Sequence, residues 1–277
     1  MLDLSFKYRD LINYLENEAP FKAGIALILG SGLGDFAKSV DIKKTISTKE
    51  LPSYPPSTIT GHEGKIHFAE FSGKKLLIFQ GRIHFYEGYK IYECLLPVFI
   101  SNKLGTKKIF ITNAAGGING NFKPGDLMLI TSFNSLFIKK ELTELIGISS
   151  VEGKNSLSDF PSHKFNEIIK KAAKLENIGL KEGIYWYTKG PSYESPSEIR
   201  MMKKFGGDAV GMSSAHEAVF ASYLGMEISS VSLITNLAAG ISTTKLSHRE
   251  VTDTANLTKD KFEKLVKRII LLNNSID

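Results

Sequence analysis

Apolar runs of strand length recur along the chain, and helical patterns lie between several of them. The strand-like runs cover residues 24–29, 76–79, 108–112, 126–131, 183–188 and 229–235, and the helical patterns cover 92–104, 165–175 and 215–224. Strands that alternate with helices predict an α/β fold, in which helices flank a mixed, largely buried central β-sheet. No linker rich in Pro, Gly or Ser divides the chain and no repeat period is present, so we expect a single domain over residues 1–277.

A Ser followed three residues later by a Glu, the pattern of a reciprocal helix cap, occurs at three predicted helix starts. The pairs are Ser195 with Glu198, Ser214 with Glu217, and Ser247 with Glu250. The last pair is expected to open a C-terminal helix with one buried apolar face. Its candidate buried residues are Val251, Phe262, Leu265, Val266, Ile269 and Ile270.

The composition indicates a globular protein of a reducing compartment. Hydrophobic residues make up 42% of the 277 residues and charged residues 23%, which is typical of globular chains. The single cysteine, Cys94, excludes an internal disulfide and a thiolate metal cluster. Charges interrupt the apolar positions at the N-terminus, and no segment reaches the length of a membrane span. We therefore expect a cytoplasmic protein with no membrane partner.

The net charge of +6 is compatible with an anionic small substrate. Lysine pairs at 43–44, 107–108, 139–140 and 203–204 are scattered, and they do not form a basic stripe interleaved with aromatic residues. Nucleic-acid binding would rest on the net charge alone and would weaken steeply with salt. We expect no nucleic-acid partner.

Arg82, His84 and Tyr86 follow one another at intervals of two residues, directly after the apolar run 76–79. In an extended backbone these side chains share one face. A guanidinium, an imidazole and a phenol on one face suit an oxyanion beside a hydroxylated ring, and Glu87 is a possible partner for the imidazole. The alternative interpretation is a solvated strand end.

Further donors for an anion are predicted at other strand ends. The run 30–34 (GSGLG) matches neither the dinucleotide-binding nor the triphosphate-binding loop, so a tight structural turn and a phosphate cradle both stay open. The turn at Asn113 and Ala114 and the position of Ser213 before a helix start also suit an anion. Together with Ser31, Arg82 and His84, these residues would converge on one oxyanion.

The chain resembles the trimeric family of purine nucleoside phosphorylases through seven motifs in family order. These are residues 29–34 (LGSGLG), 61–64 (GHEG), 80–89 (QGRIHFYEGY), 112–117 (TNAAGG), 189–194 (KGPSYE), 210–213 (VGMS) and 232–236 (SLITN). The resemblance implies the nucleoside phosphorylase fold and reversible phosphorolysis of a purine nucleoside to the free base and a pentose 1-phosphate. It also implies a homotrimer that needs no metal or organic cofactor, with inorganic phosphate as co-substrate.

By motif position, the resemblance also implies roles for individual residues. Phosphate contacts are expected from Ser31, His62, Arg82, His84, Ala114 and Ser213. Sugar contacts are expected from Tyr86, Met212 and His248, and base contacts from Tyr193, Glu194, Val210 and Asn236. The catalytic residues would be His84, Glu194 and Asn236.

The chemistry of Glu194 and Asn236 predicts a preference for 6-oxopurines such as hypoxanthine and guanine. The carboxylate can accept the N1 hydrogen of these bases, but it would face the N1 lone pair of adenine. The Asn236 amide can donate to the 6-oxygen side of the base. His248, at the positive end of a helix, is expected to be neutral and to bond the sugar 5′-hydroxyl, which argues against methylthioadenosine as a substrate.

The resemblance is weakest between residues 132 and 165, where the family carries an aromatic residue that reaches the neighbouring subunit's sugar site. Phe137 and Phe160 are both candidates for that role. Leu237 stands where some members carry Lys, and His216 where a Pro is common. Xanthosine phosphorylase, methylthioadenosine phosphorylase and a purine-binding member without turnover remain as alternatives.

Overall fold

The computed structural model describes residues 3–58, 63–147, 159–241 and 248–273, the last range without the side chains of 248–250. Within these ranges nine strands form one mixed sheet in the order β2-β3-β4-β1-β5-β8-β7-β6-β9. The strands are β1 Ile25–Leu29, β2 Asp41–Ser47, β3 Lys65–Phe71, β4 Lys74–Gln80, β5 Lys108–Gly117, β6 Leu127–Asn134, β7 Leu180–Tyr187, β8 Ala209–Gly211 and β9 Glu227–Leu237.

The central strands of the sheet are parallel, and five strands at one side of it form a closed ring. β1 pairs in parallel with β4 and with β5, and β5 pairs in parallel with β9. β9 also pairs with β6, β6 with β7, β7 with β8, and β8 returns to the end of β5. β5 is therefore a member of both the open part of the sheet and the closed ring.

Helices cover both faces of the sheet, as predicted for an α/β fold. They are α1 Leu4–Lys7, α2 Arg9–Glu18, α3 Ile91–Cys94, α4 Leu96–Lys103, α5 Lys139–Ile146, α6 His163–Leu175, α7 Pro196–Lys204, α8 Ala215–Tyr223 and α9 His248–Leu272. Each predicted strand run overlaps a strand of the sheet, and the fold class is confirmed. No helix in the described part of the chain combines the length and apolar character that crossing a membrane requires.

The buried side chains form a core on each face of the sheet. In β1, which is buried along its whole length, Ile25, Leu27 and Leu29 join the core beneath α6 and α9. Ala26 and Ile28 point to the opposite face, toward α2, α4 and α8, as expected from the twofold alternation of a strand. The predicted buried face of the C-terminal helix is confirmed from Phe262 onward, and Val251 is half-buried.

One predicted helix is interrupted. Residues 92–104 form two helices, α3 and α4, separated at Leu95. Pro97 lies in the first turn of α4, where its missing N–H leaves the carbonyl of Glu93 without a helical donor and its ring crowds that carbonyl. The prediction of one continuous helix from the apolar pattern was therefore wrong.

The two described capping pairs have different structures. Ser195 and Glu198 form the predicted reciprocal cap, with the Ser195 amide 2.7 Å from the Glu198 carboxylate and the Glu198 amide 3.3 Å from the Ser195 hydroxyl. The prediction for Ser214 was wrong: it has a φ of +68° and its side chain does not cap α8. Its partner Glu217 is buried and forms an ion pair with Arg82 instead. Ser247 lies outside the described residues.

Candidate functional site

A cavity of about 410 Å³ opens beside the carboxyl ends of β1, β4, β5 and β9. Open α/β sheets bind ligands at this edge. The cavity brings together most of the predicted site residues: Ser31, Arg82, His84, Tyr86, Ala114, Tyr193, Glu194, Val210, Met212, Ser213 and Asn236. Of the two others, His62 lies outside the described residues, and His248 begins α9, where its side chain is not described.

The glycine turn that follows β1 is packed directly on β5. A β-carbon at Gly30 would lie 2.7 Å from the Cα of Asn113 and from the carbonyl oxygen of Thr112, so only glycine permits this approach. The Gly30 amide donates to the Thr112 hydroxyl at 3.1 Å. The tight structural turn is thus confirmed, and it places Ser31 in the cavity wall, whereas a phosphate cradle stays a prediction.

Arg82 is the buried cation of the cavity wall, with only 2% of its surface exposed. Its Nη1 donates to the Ser214 hydroxyl at 2.8 Å, and its Nη2 donates to the Thr112 carbonyl at 2.6 Å. The Glu217 carboxylate lies 3.2 Å from Nη1. These contacts hold a planar group at two of its corners, which fixes the direction in which it presents its positive charge.

The segment after β4 does not stay extended as far as Tyr86, so the shared strand face predicted for Arg82, His84 and Tyr86 is not formed. β4 ends at Gln80, and Phe85–Glu87 form one 3₁₀ turn, so Tyr86 does not share a strand face with Arg82 and His84. The turn instead stacks the Tyr86 ring on the His84 imidazole, with centroids 4.8 Å apart and planes 18° apart. Arg82, His84 and Tyr86 therefore line one cavity through a different backbone geometry.

The His84 ring is neutral at neutral pH. Burial, assisted by the charge of Arg82, lowers the pKa of His84 below its usual range, although its hydrogen bond to Glu87 acts in the opposite direction. The His84 Nδ1 lies 3.1 Å from the Glu87 carboxylate. Because an ionised carboxylate can only accept, Nδ1 carries the proton and Nε2 is the acceptor nitrogen. Such a ring suits a protonated oxygen of phosphate.

Glu87, the predicted partner of the imidazole, is held by His84 and by Thr58. Its carboxylate accepts from the amide and ring of His84, and from the amide and hydroxyl of Thr58 at 2.7 and 2.8 Å. Burial alone would raise the pKa of Glu87, but these hydrogen bonds lower it to about 2. Glu87 is therefore a carboxylate at any pH at which the protein is expected to work.

We expect Glu87→Gln to lower the free energy of unfolding by about 3 kcal/mol at pH 7, because the pKa of this carboxyl falls from 4.5 to about 2 on folding. This stabilisation is complete above the unfolded-state pKa and is lost as the pH falls through the folded-state value. The difference between wild type and variant should therefore shrink to roughly half by pH 3. Urea unfolding at the two pH values measures it. Glu144→Gln, at an exposed carboxylate of α5, is the control, and an equal difference at both pH values would contradict the assignment.

The loop that precedes α7 meets the Tyr86 and Met212 side chains at Gly190. A β-carbon there would lie 2.6 Å from the Met212 sulfur and 3.1 Å from the Tyr86 ring, and the Gly190 φ of +69° also disfavours other residues. Gly190 thus allows the predicted sugar residues Tyr86 and Met212 to lie side by side in the cavity.

The predicted base residues Glu194 and Asn236 are each oriented by a threonine. The Thr188 hydroxyl donates to Oε1 of Glu194 at 2.5 Å, and the Thr235 hydroxyl donates to Oδ1 of Asn236 at 2.8 Å. This assigns the donor nitrogen of Asn236 to the other side of its amide, where it is 3.2 Å from the carbonyl of Leu237. Thr188 was not predicted as a site residue, although its position directly before the 189–194 motif was a signal.

Asn236 and Val210 line the cavity on either side of Gly116 in β5. A β-carbon at Gly116 would lie 3.4 Å from Asn236 Nδ2 and 3.6 Å from Val210 Cγ1. β5 pairs with β9 and with β8 at this point, so the sheet itself brings the two side chains together. Tyr193, the other predicted base residue, is half exposed at the mouth of the cavity.

Phe137 and Phe160, the two candidates for contact with a neighbouring subunit, differ in how far their rings are exposed. The Phe160 ring stacks on Phe133 at 5.3 Å and packs against the core. Phe137 is 39% exposed and meets the edge of Trp186 at 6.2 Å. Phe137 is therefore the more exposed of the two rings, and Phe160 is partly buried.

His216, at a position where Pro is common in the family, is a buried neutral side chain. Burial, assisted by the Arg82 charge, lowers the pKa of His216 to about 3. Its ring packs edge-on against Tyr187 at 5.4 Å. Within the described ranges, no group of three or more His, Cys, Asp or Glu side chains could hold a metal ion.

Comparison with known proteins gives a consistent result over nearly the whole chain. The family model of the Phosphorylase superfamily matches residues 24–271. Purine nucleoside phosphorylase 1 of Geobacillus stearothermophilus is 36% identical over 263 residues, which cover 93% of this chain and 94% of the relative. Purine nucleoside phosphorylase 1 of Bacillus subtilis (strain 168) is 37% identical over 260 residues, covering 93% of this chain and 95% of the relative.

Solved structures of similar shape include two of Schistosoma mansoni purine nucleoside phosphorylase. The complex with inosine has a TM-score of 0.86 at 28% identity and covers 96% of this chain and 95% of the solved chain. The complex with adenosine has a TM-score of 0.85 at 30% identity, with 96% of each chain covered.

Proposed function

Because the chain belongs to the phosphorylase superfamily, we propose that it is a purine nucleoside phosphorylase. It catalyses the reversible phosphorolysis of inosine, guanosine and their deoxy forms to the free base and the pentose 1-phosphate, as a step of purine salvage. This agrees with the names of its relatives and with the purine ligands of the similar solved structures.

One observation carries this proposal: a single cavity holds both the groups that suit phosphate and the groups that suit a 6-oxopurine. Ser31, Arg82, His84 and Ser213 offer hydroxyl, guanidinium and imidazole groups for an oxyanion. Glu194 and Asn236 offer an acceptor and a donor for a purine edge. A site for phosphate alone, or for purine alone, would not need both.

The reaction builds positive charge on the sugar and negative charge on the departing base. Phosphate held by Arg82 and its neighbours attacks the anomeric carbon, and its charge stabilises the developing sugar cation. Electrons of the broken glycosidic bond pass to the purine, where the Asn236 amide donates a hydrogen bond beside the five-membered ring. Binding both partners in one cavity converts a bimolecular attack into an oriented one.

The roles of the remaining residues form part of the same proposal. His62 and Ala114 would contact phosphate, and Tyr86, Met212 and His248 would contact the sugar. Tyr193 and Val210 would complete the base pocket. The reaction proposed needs no metal or organic cofactor, with inorganic phosphate as the second substrate.

We also propose that the enzyme is a cytoplasmic homotrimer. The resemblance to the trimeric family supports the assembly, as does the exposed Phe137 ring, which could meet a neighbouring subunit. The single buried cysteine, Cys94, is compatible with a reducing compartment.

We expect the purified protein to release hypoxanthine from inosine only when inorganic phosphate is present. Absorbance of the released base, followed with and without phosphate, separates phosphorolysis from hydrolysis and from binding. Guanosine, xanthosine, adenosine and methylthioadenosine complete the panel, and guanosine should be turned over. Release without phosphate, or no release under either condition, would overturn the proposed reaction.

A further inference from the structure

We propose that Ser214 and Glu217 are positioning residues that aim the Arg82 guanidinium at the attacking phosphate. The proposal rests on the proposed function, because it takes phosphate as the anion that Arg82 meets. Neither residue lines the cavity, and both are fully buried behind it.

The Ser214 hydroxyl joins two elements of the cavity wall. It accepts from Nη1 of Arg82 at 2.8 Å and from Nδ2 of Asn113 at 2.9 Å. A hydroxyl has two lone pairs, so these two donors occupy its whole accepting capacity. Ser214 thereby fixes Arg82, which follows β4, relative to Asn113 of β5. The hydroxyl of Ser213, which lies in the cavity wall, is 3.5 Å from the Ser214 hydroxyl.

The backbone at Ser214 supports a role for this hydroxyl. Its φ is +68°, in the left-handed region that glycine adopts at least cost. A buried serine in that conformation carries backbone strain, and such strain persists only where surrounding contacts stabilise it. The two hydrogen bonds to the hydroxyl are such contacts, and the backbone bond from Ala215 N to Ser213 O at 2.8 Å spans the same residue.

Glu217 lies one helical turn further along α8 and contacts the same corner of Arg82. Its Oε2 is 3.2 Å from Nη1, and the side chains of Arg82 and Glu217 are 1% and 0% exposed. The carbonyl of Thr112 holds the opposite corner at 2.6 Å. With both corners held, the guanidinium cannot rotate away from the cavity, so loss of either Ser214 or Glu217 should weaken phosphate binding before it affects the nucleoside.

Ser214→Gly is the most direct test, because glycine removes the hydroxyl and relieves the backbone strain at the same time. The variant should fold, and the KM for phosphate should rise about tenfold, with the KM for inosine changed less than twofold. Ser72→Gly is the matched control: Ser72 also has a positive φ, of 48°, but it is exposed in the turn at the far end of β4. It should leave both KM values unchanged.

Two variants of Glu217 separate positioning from charge. Glu217→Gln keeps the length and packing of a side chain whose Oε2 lies 3.2 Å from Arg82 Nη1 and removes the negative charge, whereas Glu217→Ala removes both. We expect the KM for phosphate to rise about tenfold in Glu217→Ala and to return to within about threefold of wild type in Glu217→Gln. Equal effects of the two substitutions would overturn the positioning role of Glu217.

A second measurement does not depend on turnover. The rise in Tm that saturating inorganic phosphate causes in the wild type should be reached only at about tenfold higher phosphate in Ser214→Gly. A phosphate dependence within twofold of wild type, or equal rises in the KM for phosphate and for inosine, would overturn the proposal. If the wild type binds phosphate but shows no phosphorolysis, the proposed function fails, while the Tm comparison still decides the role of Ser214.

Discussion

Asn236→Asp is expected to shift the ratio of kcat/KM for inosine to that for adenosine by at least about a hundredfold in favour of adenosine. The amide nitrogen is the only donor of the Asn236 side chain, and the Thr235 hydroxyl already donates to its oxygen. A carboxylate at this position can only accept. It would repel the 6-oxygen of hypoxanthine and attract the 6-amino group of adenine.

Turnover, not binding, is the quantity to compare for Asn236→Asp. A similar solved structure holds adenosine and another holds inosine, so occupancy of such a site by itself does not report which base is cleaved. Initial rates with both nucleosides at saturating phosphate give the ratio directly. The stabilising Thr188 contact to Glu194 is untouched by the substitution, so the pocket should retain its other purine contact.

Asn121→Asp is the matched control for the change of charge, because Asn121 is exposed in the loop after β5. It should leave the ratio unchanged. If Asn236→Asp has the same inosine-to-adenosine ratio of kcat/KM as wild type, the placement of Asn236 beside the 6-position of the base is wrong. This conclusion does not depend on the roles of the phosphate-binding residues.

Local patterns predicted six of the nine described strands and most of the cavity, because these depend on residues close together in sequence, whereas β2, β3 and β8 were not predicted. The run 24–29 predicts β1 from its continuous apolar character, which a strand buried on both faces requires. The cavity residues of 189–194 and 232–236 were found through motifs that follow β7 and end β9. Each of these motifs is a short continuous segment that can be recognised from its own residues. The fold then places the segments beside one another at one edge of the sheet.

Ser195 and Ser214 have the same local sequence pattern but different structures. Both precede a helix and both have a Glu three residues later, yet only Ser195 forms the cap. The difference is Arg82, which comes from a position 132 residues earlier and binds the Ser214 hydroxyl. A buried cation requires a buried partner, so Glu217 pairs with Arg82, and the Ser214 hydroxyl binds Arg82 and Asn113 in place of capping α8. Whether Ser214 caps the helix or binds Arg82 depends on a tertiary contact. A local pattern of four residues carries no information about that contact.

Arg82→Met is expected to destabilise the protein by about 3–5 kcal/mol, because it leaves the carboxylate of Glu217 buried without its cation. Urea unfolding at pH 7 measures this loss. The double variant Arg82→Met with Glu217→Leu should recover most of it, since a buried ion pair replaced by apolar side chains of similar volume is often neutral. Arg268→Met is the control: Arg268 pairs with Glu176 at the surface, and its loss should cost at most about 1 kcal/mol.

The Arg82 variants separate folding from function, because stability and phosphate binding should respond differently. The double variant should regain stability but not activity: its KM for phosphate should stay at least about a hundredfold above that of wild type, since Arg82 is the one Arg or Lys among the described residues that line the cavity. A double variant no more stable than Arg82→Met would show that Glu217 is not the cause of the instability. A wild-type KM for phosphate in either variant would remove Arg82 from the phosphate site. We expect the double variant to regain stability without regaining phosphate binding. This result would show that Arg82 has two roles: it neutralises the buried Glu217 carboxylate in the folded protein, and it binds phosphate in the reaction.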